Sequence, residues 1–127
     1  MRDQRGVTTQ SWETQRNAFF EVATGVLFDA RAATGVGTTD EVVDGDNAEV
    51  LSLQLIPGAG ATYTATVERS LDNGATWLTT GVGTGSVAAG AFLDFTAPCG
   101  WYRVNVSALT SGKVVSCVFR KKLPVLR

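Results

Sequence analysis

Two runs of alternating residues, divided by a Pro-Gly break, constrain this chain more than any other feature. Leu51, Leu53 and Leu55 fall on one side of an extended segment with Ser52 and Gln54 on the other, the period-two pattern of a half-buried strand. After Pro57-Gly58-Ala59-Gly60 the alternation resumes, with Tyr63, Ala65 and Val67 set against Thr62, Thr64, Thr66 and Glu68. The spacing predicts a hairpin. Fourteen glycines, a single methionine and abundant Thr and Val are poor material for long helices, so strands are expected throughout. Val26, Phe28 and Ala30 alternate with Leu27, Asp29 and Arg31 to suggest a first strand, which runs into a loop over residues 33–46. Asp72-Asn73-Gly74 marks a turn before Trp77 and Leu78, Asn-Gly being favoured where φ is positive. A pair of short strands is predicted between Gly81 and Phe95.

The C-terminal third predicts a closing hairpin with a definite register. With Ser111-Gly112 as a two-residue loop, Val104 faces Phe119, Val106 faces Cys117 and Ala108 faces Val115, all on one apolar side. Cys99 then lies far from Cys117, so the two are not expected to bridge, and Cys117 reads as an inert core thiol. The expected fold class is all-β: a single antiparallel β-sandwich or jelly roll of about seven or eight strands. Its parts would be an extended N-terminal arm (1–22), the sandwich (23–122) and a basic C-terminal tail (123–127). In the arm, Trp12, Phe19 and Phe20 are the large apolar groups. An isolated indole gains by docking, here either onto its own domain or onto a neighbouring subunit.

Composition removes several functional classes. Eleven basic against twelve acidic side chains leave a formal charge of −1, which argues against a nucleic-acid binder held by phosphate contacts. No apolar run approaches the roughly 18 residues of a membrane span, and the first residues lack the hydrophobic stretch of a signal peptide. No membrane partner is therefore expected, and synthesis in the cytoplasm is. Two cysteines and no histidine disfavour a disulfide framework, a Cys/His zinc site and imidazole chemistry. No catalytic residue, metal or cofactor is assigned.

Four features of the sequence are candidate sites. Ser70, Asp72, Gly74, Thr76 and Trp77 fit S-x-D-x-G-x-T-W, which resembles the Asp-box of sialidases and related β-propellers. The resemblance implies a structural hairpin tip in which the Asp ties the turn, the Gly takes positive φ and the Trp packs beneath. A propeller needs at least about four blades, so sialidase activity is not expected. Asp40, Glu41, Asp44, Asp46 and Glu49 cluster without a base, yet supply only fragments of a calcium loop, and a solvated loop is the reading. Gly81 to Ser86 lacks the lysine of a phosphate-binding loop and is expected to be flexible. The three tryptophans leave open a sugar-stacking platform on a carbohydrate-binding sandwich.

The succession LFDARAATGVGTTDEV, SLQLIPGAGATYTATVERSLDNGATWLTT and GWYRVNVSALTSGKVVSCVFRK resembles small tailed-bacteriophage virion proteins of β-sandwich type, over roughly residues 24–121. The resemblance implies a structural, non-enzymatic protein located in the virion, above all a capsid cement or decoration protein between major capsid subunits. A tail, connector or fibre component is the alternative. Its partners would be the major capsid protein, copies of itself, or both. Lys113, Arg120, Lys121, Lys122 and Arg127 form a C-terminal segment without acids, opposed to the acidic run at 40–49, a layout that suits oriented subunit contacts. The groups expected to make those contacts are Trp12, Phe19, Phe20, Arg120, Lys121, Lys122 and Arg127.

Overall fold

A computed structural model describes residues 20–37 and 41–124. Among these residues there are eight strands: β1 (Phe20–Arg31), β2 (Val43–Asp44), β3 (Val50–Pro57), β4 (Tyr63–Ser70), β5 (Leu78–Gly83), β6 (Ala91–Thr96), β7 (Trp101–Leu109) and β8 (Val115–Pro124). They form two four-stranded antiparallel sheets, ordered β1-β8-β3-β6 and β2-β7-β4-β5. We call them the first and second sheet. Only the β4–β5 connection stays within a sheet; every other crosses from one sheet to the other. Two interlocked Greek keys of this order are a jelly roll.

The core lies between the sheets, built by the alternation seen in the sequence. Leu51, Leu53 and Leu55 of β3, with Val115 and Cys117 of β8, face Tyr63, Ala65 and Val67 of β4 and Val104 and Val106 of β7, all of them fully buried. Their burial alone makes the four central strands obligatory, since fully burying one such side chain stabilises by roughly 1.5–3 kcal/mol.

Two predicted hairpins are absent. β3 pairs with β6 and β8, and β4 with β5 and β7, so the break at Pro57–Gly60 carries the chain across the core. Likewise β7 pairs with β2 and β4, whereas β8 pairs with β1 and β3. Val104 and Val106 therefore meet Val115 and Cys117 across the sandwich and not beside them. Alternation sets which face is buried; it is silent on whether the next strand is a hydrogen-bonded neighbour or the opposite wall. The β4–β5 hairpin forms as expected, with Arg69 opposite Leu78 and Glu68 opposite Thr79.

Two smaller differences concern strand ends. In β1 the register shifts between Val26 and Phe28 and again before Arg31, so Leu27 and Phe28 are both buried and Val26 is exposed. Bulges of this kind cancel strict alternation. Gly81 to Gly83 belong to β5 instead of a loop, and Thr84 N–H donates to Ala65 O at 2.7 Å. The Phe119 ring lies over Gly25: a Cβ there would stand 2.7 Å from it, so a larger residue would have to displace the ring.

Cys99 and Cys117 are both free, the first exposed and the second buried. Burial pushes the Cys117 thiol up to about 12, the Arg31 charge offsetting this in part, so its nucleophilic thiolate is absent near neutral pH. A thiol reagent at pH 8 should titrate one cysteine in the folded protein and two in denaturant; rapid labelling of both without denaturant would contradict the buried assignment. Leu53→Ala should cost about 2–5 kcal/mol in urea unfolding, against under about 0.5 kcal/mol for the exposed neighbour change Gln54→Ala.

Candidate functional site

Strand pairing places several loops at one end of the sandwich. Ser70 lies opposite Trp101, which lies opposite Asp44, and Phe20 lies opposite Pro124. The β4–β5 turn is ordered by its own side chains. Ser70 Oγ–H donates to Asp72 Oδ1 (2.7 Å), Thr76 N–H donates to the same oxygen (2.8 Å) and Gly74 N–H donates to Ser70 Oγ (2.8 Å). Asn73 and Gly74 both take positive φ, 57° and 89°. A Cβ on Gly74 would meet the Trp101 ring at 3.3 Å and the Trp77 ring at 3.7 Å. The Arg103 guanidinium lies 4.3 Å over the Trp77 ring and its Nε donates to Glu68 Oε1 at 2.8 Å, while Asn105 Nδ2 donates to Glu68 Oε2 at 3.3 Å. Ser70, Asp72, Gly74, Thr76 and Trp77 thus sit in one turn, with bonds directed at its own backbone.

Beside this turn the sandwich is open. A cleft of about 740 Å³ runs between β5 and β6, the edge strands of the two sheets. Phe95 and Tyr102, whose rings are 5.0 Å apart, lie in it with Val82, and Leu71 and Leu78 stand at its mouth. Leu78 pairs with Arg69, and Arg69 with Tyr102, so Leu78 belongs to the inner face of its sheet. It is nevertheless 70% exposed, and Leu71 is 68% exposed.

A second apolar surface covers the outside of the first sheet. Val26, Val118, Gln54 and Phe92 stand side by side across its four strands. Phe92 is 70% and Val26 63% exposed, and Val22 and Ile56 are also exposed. A shallow depression of about 530 Å³ lies here, with Arg120 at its border. Lys122 is exposed on the same face, opposite Val22 and Val50.

The charged segments are neighbours, not opposite poles. Lys121 Nζ donates to Asp44 O at 2.8 Å, and Glu49 N–H donates to Lys122 O at 2.7 Å. The acids order the backbone around them: Asp44 Oδ1 accepts from Asp46 N–H within the loop, and Asp46 Oδ1 accepts from Gly100 N–H in the β6–β7 turn, both at 2.8 Å. Among the described residues no group of three or more Cys, Asp or Glu is placed to hold a metal ion. Phe20 begins β1; Trp12, Phe19, Asp40 and Arg127 lie outside the described residues.

Arg31 is the structural residue that sequence patterning misses. Its guanidinium donates to Gly35 O (2.9 Å), Val36 O (3.3 Å) and Val104 O (3.3 Å), pairs with Glu41 and stacks 3.9 Å over Phe28. Burial lowers its pKa from the usual arginine value, and the loop after β1 is thereby tied to the second sheet. Its position at the end of an alternating run looks like an exposed strand end, and Glu41 is ten residues away; no local pattern joins them.

The residues described define a jelly-roll protein whose exposed features are an edge cleft and an apolar outer sheet. No protein-family model matches the chain, and no curated protein matches it in sequence. Among solved structures it is similar to the SPBc2 prophage-derived protein YomS, at a TM-score of 0.65 and 11% identity, over 86% of this chain and 99% of that one. At this identity the likeness concerns the fold.

The Asp72 carboxyl is held below the usual carboxylate range, first by the Ser70 hydroxyl and then by the Thr76 N–H. A depressed pKa means that its contribution to the turn is present above the ordinary carboxylate value and lost as pH falls through the folded value. NMR titration of the Asp72 carboxyl should give a midpoint below that of a free aspartate, with Thr76 amide exchange rising through the same range. Asp72→Asn should abolish that pH dependence.

Proposed function

We propose that this chain is a non-enzymatic structural protein of a tailed bacteriophage particle, a capsid cement or decoration protein. The observation that carries this reading is the jelly-roll fold it shares with a prophage-derived protein. The succession of strand motifs over residues 24–121 supports it independently. The apolar outside of the first sheet supplies a docking face: Val26, Val118 and Phe92 give burial, and Arg120 and Lys122 stand on the same face to orient an approaching subunit. Contiguous exposed apolar surface marks interaction sites, and rim charge sets orientation more than affinity. A protein that binds only the assembled shell stabilises it by mass action.

The same fold serves a tail, connector or fibre component, and copy number separates the two roles. Purified particles should contain the chain at one copy per major capsid subunit or a simple fraction of it; a handful per particle would move it to the tail or connector. The carbohydrate-binding alternative is weakened because Arg103 covers one face of Trp77 and Trp101 packs over Gly74.

Exchanging Phe92 for Asp removes one large apolar contact, worth roughly 1.5–3 kcal/mol if buried at an interface. That corresponds to about a 10- to 100-fold loss of affinity. Phe92→Asp should therefore bind stripped particles about 10- to 100-fold more weakly while unfolding at an unchanged temperature. Undiminished particle binding would remove the outer face of the first sheet from the interface.

A further inference from the structure

From the cleft between β5 and β6 we infer a docking site for the chain's own N-terminal segment, residues 1–19, with Trp12 seated between Phe95 and Leu78. The cleft is a gap in the core, not an outer groove. Leu78 and Tyr102 share the inner face of the second sheet, and Phe95 pairs with Leu51 on the inner face of the first. In a closed sandwich such positions meet the opposite wall. Here Leu78 is 70% exposed, and the 740 Å³ between the edge strands is within the range that takes a ligand of several ring systems. An indole with its flanking residues fits that volume.

Chain geometry selects this occupant. Residue 20 lies opposite Pro124, and Val50 lies opposite both Lys122 and Thr96, so the segment leaves the fold at the end where the cleft opens. The route crosses the first sheet from β1 to β6, three strand spacings or about 14 Å, and then turns inward by half the ~10 Å between sheets. Eight residue steps separate Trp12 from Phe20 and span about 26 Å when extended. Trp12 reaches the cleft without strain.

The segment carries both signs, Arg2, Arg5 and Arg16 with Asp3 and Glu13, and so does the end it crosses, with Asp46, Glu49 and Asp72 beside Lys121 and Lys122. Tethering also favours the chain's own cleft over that of another copy, because a short linker holds the segment at an effective concentration of order mM. The contact is within one molecule and does not depend on a role in phage particles.

The test is an NMR comparison of the full-length chain with two variants. Trp12→Ala alters no described residue, and Leu78→Asp changes a side chain that is mostly solvent-exposed. In the native chain the Trp12 indole N–H should resonate away from the free-tryptophan position, and Leu78→Asp should return it there. Trp12→Ala should shift the amides of Leu71, Leu78, Val82 and Phe95. An indole already at the free position, or shifts that instead cluster at Val26, Val118 and Phe92, would overturn the assignment. So would light scattering showing a dimer that Trp12→Ala converts to monomer, since the occupant would then be a second copy.

Discussion

Everything in this molecule hangs on the contact of two pairs of strands, β3 and β8 against β4 and β7. Ten of their side chains, from Leu51 to Cys117, are fully buried against one another. The peripheral strands add to this contact but do not create it: β2 is two residues long, β1 is bulged, and β5 meets β4 through a register shift. Polar ties then fix what the core leaves loose. Arg31 holds the loop after β1, and Asp72 holds the β4–β5 turn. These ties differ in kind. Arg31 is a charge withdrawn from water and needs every partner it has, whereas the Asp72 carboxylate is solvated and works through geometry.

How much of this was legible in the sequence depends on whether the information is local. The buried faces of β3, β4, β7 and β8 are written in period two, and the Asp72-Gly74 turn in its own residues; both are local. Strand partners are not. Pro57–Gly60 and Ser111–Gly112 punctuate like hairpin loops, yet each carries the chain over the edge of the core, because a jelly roll uses the same turn chemistry for an arch as for a hairpin. The expected opposition of basic and acidic segments failed for a related reason: residues 44 and 121 are far apart in sequence and adjacent at one end of the sandwich. The cleft was invisible, since Leu78 looks like any strand residue until its inner position is compared with its exposure.

The two exposed apolar surfaces are physically unlike. The outside of the first sheet is flat, shared by four strands and bordered by arginine and lysine; a flat patch gains only from a partner of matching breadth. The cleft is narrow, aromatic at its floor and set between strand edges, and it suits a single inserted side chain. One molecule can therefore use both at once, the first for a large neighbour and the second for a peptide segment, without competition between them.

The pairing of β1 with β8 has a consequence for how the protein comes into being. Phe20 finds its partner at Pro124, so the first strand synthesised is completed by the last. At about 5–20 residues per second, the nascent chain spends several seconds with Leu27 and Phe28 exposed and the whole of β1 unpaired. Glu21, Asp29 and Arg31 punctuate that strand, and charges so placed discourage association between chains. Pairing of β1 thus waits for β8, and Glu21 and Asp29 keep β1 solitary in that interval, whereas Arg31 serves both the growing chain and the finished sandwich, where it holds the loop after β1.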